Sequence, residues 1–146
     1  MRLNKWLIYP LMITLLFSMS GCMATKAYEE LKPVKNEAIV YVYRPESLIY
    51  RGTPYVLYID GKEVGTIINN SYLPFRLQEG KHSFELKENT YFRALVDKKV
   101  YYLKSNKVYY IRINSGLYGT FSIEEVSDAV GSQEIKKTLL YLDSQK

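Results

Sequence analysis

The sequence has few of the residues on which small folds and metal sites most often depend. Its 146 residues include one cysteine, one histidine and one tryptophan. A single cysteine excludes an intrachain disulfide, and the lack of clustered cysteine and histidine excludes a zinc site of the usual spacing. The chain must therefore fold by burying apolar residues, which make up 47% of the total and suffice for one domain with a core.

The chain also lacks the residue patterns of enzymes and nucleotide-binding proteins. After residue 21 it contains neither Gly-x-Ser-x-Gly nor Ser-x-x-Lys, and its one histidine is His82. Gly61 and Gly65 fall in a predicted hairpin and do not open a helix, so no phosphate-binding helix N-terminus is expected. The sequence predicts a non-enzymatic protein with no catalytic residues, no cofactor and no metal.

The net charge is too small to indicate a nucleic-acid partner. The full chain carries +5, which falls to +3 if Arg2 and Lys5 are removed with residues 1–21. A balance of this size is adequately explained by solubility. We therefore expect no nucleic-acid binding.

The first 21 residues have the layout of an export signal. Arg2 and Lys5 precede an apolar segment from Trp6 to Phe17, which is shorter than the roughly 20 residues that a spanning helix needs. Met19-Ser20-Gly21-Cys22 then resembles the bacterial lipobox, where a signal peptidase cuts before a diacylglyceryl-cysteine. The resemblance implies a lipoprotein signal peptide at 1–21 and lipidation of Cys22. A signal peptide that ends in an unmodified cysteine and an uncleaved anchor are the alternatives.

The residues after Cys22 indicate to which membrane the protein is sorted and how far the folded domain can lie from its anchor. In lipoproteins of this kind a residue other than aspartate after the cysteine implies sorting to the outer membrane, and here that residue is Met23. The resemblance thus implies an exported protein that is lipid-anchored to the bacterial outer membrane and faces the periplasm. Residues 22–37 are polar, and we interpret them as a tether with an r.m.s. span of about 20 Å. The folded domain is expected at 38–146.

Apolar and aromatic runs separated by turn residues predict a mainly β domain. Asp60-Gly61, Asn69-Asn70 and Glu79-Gly80 punctuate the apolar runs of the stretch 55–86, which predicts an antiparallel meander. The first run is apolar on both faces and so requires a second layer. Further strands are predicted at 38–44, 91–103 in one or two pieces, 108–113 and 121–126. These observations predict an antiparallel β-sandwich built from hairpins.

The later part of the chain predicts a long hairpin and a helix. Ser105-Asn106-Lys107 forms a turn between the run ending at Leu103 and the strand 108–113. From Ser132 the apolar period changes, and Ser132 can cap a short C-terminal α-helix. The apolar stripe of that helix would consist of Ile135, Leu139 and Leu142. We expect the helix to cover an edge or an end of the sheets.

Several motifs occur together in a fixed order along the chain. They are Val40–Pro45, Ile59-Asp60-Gly61 with Val64-Gly65, Ser71-Tyr72, Gly80-Lys81-His82 and Val108–Arg112. On these motifs the sequence from Ala38 to about Val126 resembles an uncharacterised family of bacterial lipoproteins catalogued as a domain of unknown function. The Asp-Gly, Val-Gly and Gly-x-His portion is also similar to PEGA-type surface β-modules. The resemblance implies an exported, membrane-tethered β-sandwich with no known activity.

His82 is expected to be structural. It shares a strand face with Phe84 and Leu86 and follows a turn closely. This position is typical of a packed or hydrogen-bonded histidine, with pH sensing as the alternative.

Tyrosine is abundant, with 15 residues. The pairs Tyr101-Tyr102 and Tyr109-Tyr110 must place one ring on each face of a sheet. The rings are interpreted either as strand formers whose hydroxyls reach water or as a contact face for a glycan or a protein. The candidate binding surface consists of Tyr50, Arg51, Tyr102, Lys104, Tyr110 and Arg112.

The sequence therefore predicts a membrane-anchored envelope lipoprotein that acts as a structural or protein-interaction module. Its partners would be the membrane, through the lipid, and a protein of the envelope. The alternative is a glycan- or peptidoglycan-binding module that uses exposed tyrosine, lysine and arginine.

Overall fold

The computed structural model of the protein describes residues 25–141. The predicted signal peptide 1–21, the predicted lipidation site Cys22 and Leu142 lie outside these residues. The strands are β1 Thr25–Ala27, β2 Glu37–Arg44, β3 Tyr55–Ile59, β4 Lys62–Ile67, β5 Ser71–Gln78, β6 Gly80–Glu88, β7 Leu95–Leu103, β8 Val108–Ser115, β9 Phe121–Val126 and β10 Leu139–Tyr141. Within residues 25–141 one α-helix, α1, spans Asp128–Ile135, and a 3-10 turn spans Leu117–Gly119. In the part of the chain from 25 to 141, no helix is long and apolar enough to cross a bilayer.

The strands form two sheets packed face to face, which confirms the predicted mainly β sandwich with one short helix. The larger sheet has the order β1-β10-β5-β2-β8-β9, and the smaller has the order β4-β3-β6-β7. The inward faces of both sheets bury one core. It includes Val40, Val42, Leu57, Phe84 and Ile111. Strand alternation places every second residue of β2 in this core.

The outward face of the larger sheet buries a second core. Strand β2 is fully buried from Ala38 to Arg44 because its outward side chains are covered as well. The members of this second cluster are Ile39, Tyr41, Tyr43, Tyr72, Tyr110 and Ile135. Helix α1 and the segment between β1 and β2 form the cover. The sandwich therefore has a partial third layer on one side only.

The position of the helix differs from the prediction. Ser127, not Ser132, occupies the N-cap position, and the helix ends before Leu139. Leu139 belongs to β10 because its backbone pairs with β1 on one side and with β5 on the other. Backbone pairing on both sides therefore outweighs the helical spacing of the apolar residues. The helix also lies on a sheet face, not on an edge, since Gly131 and Ile135 are buried there.

Several strand partners also differ from the prediction. Two pairs are parallel, β2 with β8 and β10 with β5, so the larger sheet is mixed and not antiparallel. The predicted meander is interrupted because β5 leaves β4 and pairs with β2 in the other sheet. Apolar alternation identifies a strand and its buried face, but it does not identify the partner.

The prediction of a long hairpin, in which the run ending at Leu103 pairs with the strand 108–113, is wrong. Strand β7 is one continuous strand that pairs with β6, while β8 pairs with β2 in the other sheet. The turn at Asn106 crosses between the sheets, and its N–H donates to the Glu37 carbonyl at 2.8 Å. Asn106 adopts φ 59°, which asparagine tolerates. The turn residues therefore correctly predict that the chain reverses here, but the two strands that they connect do not pair with each other.

The N-terminal segment is part of the fold, which differs from the tether predicted at 22–37. Strand β1 pairs with β10 in an antiparallel register from Thr25↔Tyr141 to Ala27↔Leu139. Tyr28 and Leu31 pack against the second core. The folded body therefore begins at least as early as Thr25.

Strand β9 ends the larger sheet, and a side chain of β7 occupies one of its outer N–H groups. The Ile123 N–H donates to the Asp97 carboxylate at 2.7 Å. Tyr101 of β7 is half-buried and packs against the core between the sheets. Burial raises the pKa of Tyr101 to about 12. The two sheets are thus linked at this seam by side chains, without a continuous ladder.

Candidate functional site

Three loops meet at one end of the sandwich. They are the loops 45–54, 89–94 and 116–120, and we call this region the three-loop end. Strands β2 and β8 are parallel, so the loops that follow both of them leave the larger sheet at the same end. The start of β3 at Tyr55 pairs with the end of β6 at Glu88, which brings the loop 89–94 to that end too.

The three-loop end concentrates exposed apolar side chains. Half of the large apolar residues that are exposed within 25–141 lie on these loops, although the loops are short. Tyr91 is 95% exposed and Tyr118 is 96% exposed. The other members are Leu48, Ile49, Tyr50, Phe92 and Leu117. Isolated exposed apolar residues are ordinary, but a cluster on three converging loops is typical of an interaction surface.

A buried arginine holds two of the loops in place. Arg44 is 0% exposed, and its guanidinium donates to the carbonyls of Tyr50 and Thr53, each at 2.7 Å. The same group lies 5.1 Å from the ring centroid of Phe121, the first residue after the loop 116–120. The Tyr50 ring lies 5.9 Å from Phe121. Burial lowers the pKa of Arg44, whose two terminal nitrogens donate to these carbonyls while its Nε has no hydrogen-bond partner.

The third loop, 89–94, is a compact turn that presents two aromatic rings. The Glu88 N–H donates to the Ala94 carbonyl at 2.9 Å, which closes the base of the loop. Tyr91 and Phe92 face each other edge to face with centroids 5.5 Å apart. The Arg93 guanidinium donates to the Asn89 side chain at 2.7 Å. The rings are therefore displayed on a defined backbone.

Each of the three loops contains one non-glycine residue in the left-handed region. These are Tyr50 at φ 54°, Arg93 at φ 49° and Tyr118 at φ 59°. The remaining non-glycine residues with positive φ between 25 and 141 are asparagine or aspartate, which tolerate that region. A tyrosine or an arginine costs of order 1 kcal/mol more there, and such conformations cluster at functional sites.

A polar cleft adjoins the apolar loops. Two neighbouring hollows of about 270 and 260 Å³ share Pro45, Glu46 and Glu134 in their walls. Glu134 accepts a hydrogen bond from the Tyr43 hydroxyl at 2.6 Å and another from Arg112 at 3.1 Å. Burial, followed by this bond to Glu134, raises the pKa of Tyr43. The charges of the cleft are thus mostly paired, which suits a polar rim better than a site for one strongly charged ligand.

The structure distributes the six predicted surface residues over three places. Tyr50 and Arg51 lie in the loop 45–54, where Arg51 pairs with Glu46. Tyr102, 66% exposed, and Lys104 lie at the opposite end of the sandwich, near the start of β6. These two groups are not brought together.

The other two predicted residues lie on the outward face of the larger sheet. Tyr110 is only 6% exposed because helix α1 covers it at Gly131. It is therefore unavailable to a ligand, which corrects its assignment to the surface. Arg112 binds Glu124 at 3.0 Å and Glu134 at 3.1 Å, so its guanidinium serves the link between helix and sheet.

His82 is hydrogen-bonded, as predicted for a structural histidine. Its Nδ1 lies 2.7 Å from the Asp60 carboxylate, and its Nε2 lies 2.9 Å from the Gln78 carbonyl. Both partners are hydrogen-bond acceptors, and together they fix the orientation of the ring. Within residues 25–141 no group of three histidine, cysteine or acidic side chains is placed to hold a metal ion.

Sequence reasoning found one of the three loops and missed the other two. Tyr50 and Arg51 are among the predicted surface residues, whereas Tyr91 falls in a predicted strand and Tyr118 is in none of the predicted elements or sites. Two sequence features could have identified these loops. Tyr91-Phe92 directly follows the turn residues Asn89-Thr90, and Leu117-Tyr118 lies between Gly116 and Gly119. Convergence of the loops depends on the parallel pairing of β2 and β8, which the local pattern does not encode.

Comparison with known families gives one match. A family model described as a protein of unknown function (DUF2846) matches residues 34–122. That span runs from just before β2 to the start of β9 and includes all three loops of the three-loop end. No curated protein matches the chain significantly.

Proposed function

The chain belongs to the DUF2846 family, and from that premise we propose that it is an exported, lipid-anchored envelope protein that binds another envelope protein through its three-loop end, without catalysis. The observation that carries the proposal is the convergence of three loops with exposed aromatic tips, each with a strained non-glycine residue. Tyr50, Arg93 and Tyr118 are the strained residues.

The chemistry of the three-loop end favours a protein as the partner. Protein interfaces combine an apolar, aromatic centre with a polar rim and are depleted of charge at the centre. The tips Leu48–Tyr50, Thr90–Phe92 and Gly116–Thr120 contain no charged residue. The polar cleft at Glu46 and Glu134 supplies the rim on one side. Tyrosine and phenylalanine also give large contact areas with few rotatable bonds.

The anchor is proposed from the export segment. Arg2, Lys5 and the short apolar stretch to Phe17 suit a signal peptide, and Met19-Ser20-Gly21-Cys22 is similar to the lipobox. Two or three acyl chains on Cys22 would hold the protein stably, since each buried methylene contributes about 0.8 kcal/mol. Met23 after the cysteine supports the outer membrane, with the domain facing the periplasm. Similarity to a bacterial lipoprotein family and to PEGA-type modules agrees with this placement.

A glycan- or peptidoglycan-binding role is the second candidate. Its support is the exposed pair Tyr102 and Lys104 at the opposite end, where Tyr102 lies across from Lys81 in the β6–β7 register. A ring beside cations suits stacking on an anionic sugar polymer. The two candidates therefore predict different ends of the molecule as the contact.

The binding proposal is tested by site-specific photocrosslinking in intact cells. A photoreactive residue at Phe92 and another at Tyr118 should give the same discrete adduct with one envelope protein, because both loops face one partner. The control is Tyr102, an exposed ring at the opposite end of the sandwich, which should give no such adduct. Replacing Leu48 with serine should weaken both adducts while leaving the unfolding midpoint unchanged.

Two results would contradict this assignment. Different adducts from Phe92 and Tyr118 would show that the loops do not share a partner. Salt-sensitive sedimentation of the protein with peptidoglycan, lost on Tyr102→Ser and unaffected by Phe92→Ser, would favour the glycan-binding role.

The anchor is tested separately with Cys22→Ser. The variant should accumulate as unprocessed or mislocalised protein, because acylation of the thiol precedes cleavage in the proposed route. Membrane fractionation and the mass of the mature N-terminus measure this. Unchanged fractionation together with an unchanged mass would overturn the anchor proposal.

A further inference from the structure

Strand β1 is joined to the larger sheet by backbone pairing on β10. β1 pairs with β10, and β10 in turn pairs with β5 at Leu139↔Ser71 and Leu140↔Tyr72. Strand β1 therefore forms one lateral edge of the six-stranded sheet. The chain enters the folded body along that edge.

The segment after β1 is held to the second core by tyrosine hydroxyls. We call residues 28–36 the N-terminal strap. The Leu31 N–H donates to the Tyr41 hydroxyl at 2.7 Å, and the Glu29 N–H donates to the Tyr72 hydroxyl at 3.0 Å. The Tyr28 ring lies 5.6 Å from the Tyr41 ring and 5.5 Å from the Tyr72 ring. Burial raises the pKa of Tyr28, in agreement with a packed position.

The strap continues down the sheet to the start of β2. The Arg76 guanidinium donates to the Lys32 carbonyl at 3.1 Å, and the Glu37 N–H donates to the Val34 carbonyl at 3.3 Å. Contacts thus occur along the strap and not only at its first residues. The segment does not serve as a flexible spacer in this fold.

The length of chain between Cys22 and the folded body is consequently very short. Two residues, Met23 and Ala24, lie between Cys22 and Thr25, and the three Cα–Cα steps from Cys22 to Thr25 cover at most about 11 Å in a fully extended chain. The free tether expected from sequence would have an r.m.s. span of about 20 Å and a far larger maximum. A lipid on Cys22 would therefore keep the β1 edge within about one strand length of the bilayer surface.

The charge near this edge suits a headgroup surface. Lys26 is exposed on β1, where it pairs with Glu29, and Lys136 and Lys137 are exposed and lie on the turn that leads into β10. Residues 136–141 include no acidic residue. Lysines near an anionic membrane surface contribute about 1 kcal/mol each.

We propose that the β1–β10 edge of the sandwich rests directly on the headgroups of the lipid bilayer. The inference rests on the proposed lipidation of Cys22 and adds a defined orientation to it. Strand β7, whose contacts with β9 place it at the other side of the sandwich, then faces away from the membrane. The three-loop end lies sideways between these two sides, where an envelope protein can reach it.

The orientation is tested on full-length lipidated protein in vesicles of phosphatidylethanolamine and phosphatidylglycerol that carry a nitroxide quencher on the headgroups. Because Cys22 is acylated, one introduced cysteine can be labelled with a fluorophore. Lys136→Cys reports the β10 side, and Lys99→Cys on β7 is the matched exposed control. The label at 136 should be quenched several-fold more strongly than the label at 99.

A second variant lengthens the chain between Cys22 and strand β1 and leaves the N-terminal strap unchanged. A flexible Gly-Ser insertion of about twelve residues between residue 24 and Thr25 adds an r.m.s. span of about 19 Å. Quenching at 136 should fall towards the level at 99. Equal quenching at the two positions in the natural chain, or no effect of the insertion, would overturn the proposed orientation.

Failure of the anchor gives a different result. Intact mass is measured before reconstitution, so the acyl groups are seen directly. A protein of unacylated mass that does not bind the vesicles would refute the anchor itself. An acylated, vesicle-bound protein without the difference between 136 and 99 would refute only the orientation.

Discussion

At the scale of single residues, the strained positions separate the three-loop end from the other turns. Asp60, Asn70 and Asn106 make turns with positive φ at little cost, since their short polar side chains tolerate that region. Tyr50 and Tyr118 adopt the same region with large rings. Retaining tyrosine where asparagine or glycine would fold more easily is understandable if the ring is needed for contact.

Asp60 and His82 allow a test of pH dependence at the residue scale. Burial alone would raise the pKa of Asp60, but hydrogen bonds from the Ser83 N–H and from His82 outweigh it and lower that pKa. A lowered pKa in the folded state means that the carboxylate stabilises the fold above its unfolded pKa of about 3.9. That contribution is lost as the pH falls through the folded pKa.

We predict that Asp60→Asn flattens the acid limb of the stability curve. Asparagine keeps the tolerance for φ 52° at this turn but cannot ionise. The free energy of unfolding in urea, measured from neutral to acidic pH, should fall less for the variant than for the wild type. Glu125→Gln, at an exposed carboxylate on β9, is the control. A variant whose acid slope equals that of the wild type would contradict the role of Asp60.

At the scale of elements, helix α1 can approach the sheet because Gly131 has no side chain. A Cβ at this position would lie 2.2 Å from Cγ and 2.3 Å from Cβ of Tyr110. Both Gly131 and Tyr110 are buried, so relief of this overlap requires the helix or the ring to shift. The glycine therefore sets the distance between α1 and β8.

We predict that Gly131→Ala destabilises the protein by about 1–3 kcal/mol, because the overlap outweighs the better helix propensity of alanine. Urea unfolding measures the loss. Gly52→Ala is the matched control, since no atom lies within 4 Å of a Cβ there, and it should change stability by less than about 0.5 kcal/mol. Equal stability of the two variants would show that the helix can shift on the sheet.

The elements also show how far local sequence determines this fold. Strands such as β2 and β6 were predicted because buried alternation and turn residues are local properties of the chain. The pairing of β2 with β8 and the strand at Leu139–Tyr141 were not, because each depends on partners distant in sequence. The helix was displaced for the same reason: Ile135 packs on the sheet, while Leu139 continues into a strand.

The candidate site was predicted less well than the fold. Tyr50 and Arg51 were selected because their loop reads as exposed. Tyr110 was selected from abundance and turned out to lie beneath α1. Whether a tyrosine on a strand faces water is decided by what covers that face, and the cover comes from residues at both ends of the chain.

At the scale of the whole molecule, the two ends of the described chain stabilise each other. Strand β1 and strand β10 pair, and Tyr28 and Leu31 cover rings of the larger sheet. The body therefore depends on residues that composition alone assigns to a tether.

We predict that a soluble protein that starts at Glu37 is less stable than one that starts at Thr25 by about 2–4 kcal/mol. The loss comprises the burial of Tyr28 and Leu31 and the hydrogen bonds of the strap. Chemical denaturation of the two proteins measures it. A protein that starts at Met23 is the control and should match the one that starts at Thr25. If all three unfold at the same denaturant concentration, the strap contributes nothing to the fold.

The contact between β7 and β9 affects whether copies of the protein can associate through their strand edges. Copies that accumulate at high density risk polymerising strand against strand, because a free edge can template the next chain. At β9 the Ile123 N–H is already bonded to the Asp97 carboxylate of the same molecule. A neighbouring copy finds no vacant donor at that position, so this edge is a poor template for a strand of another molecule.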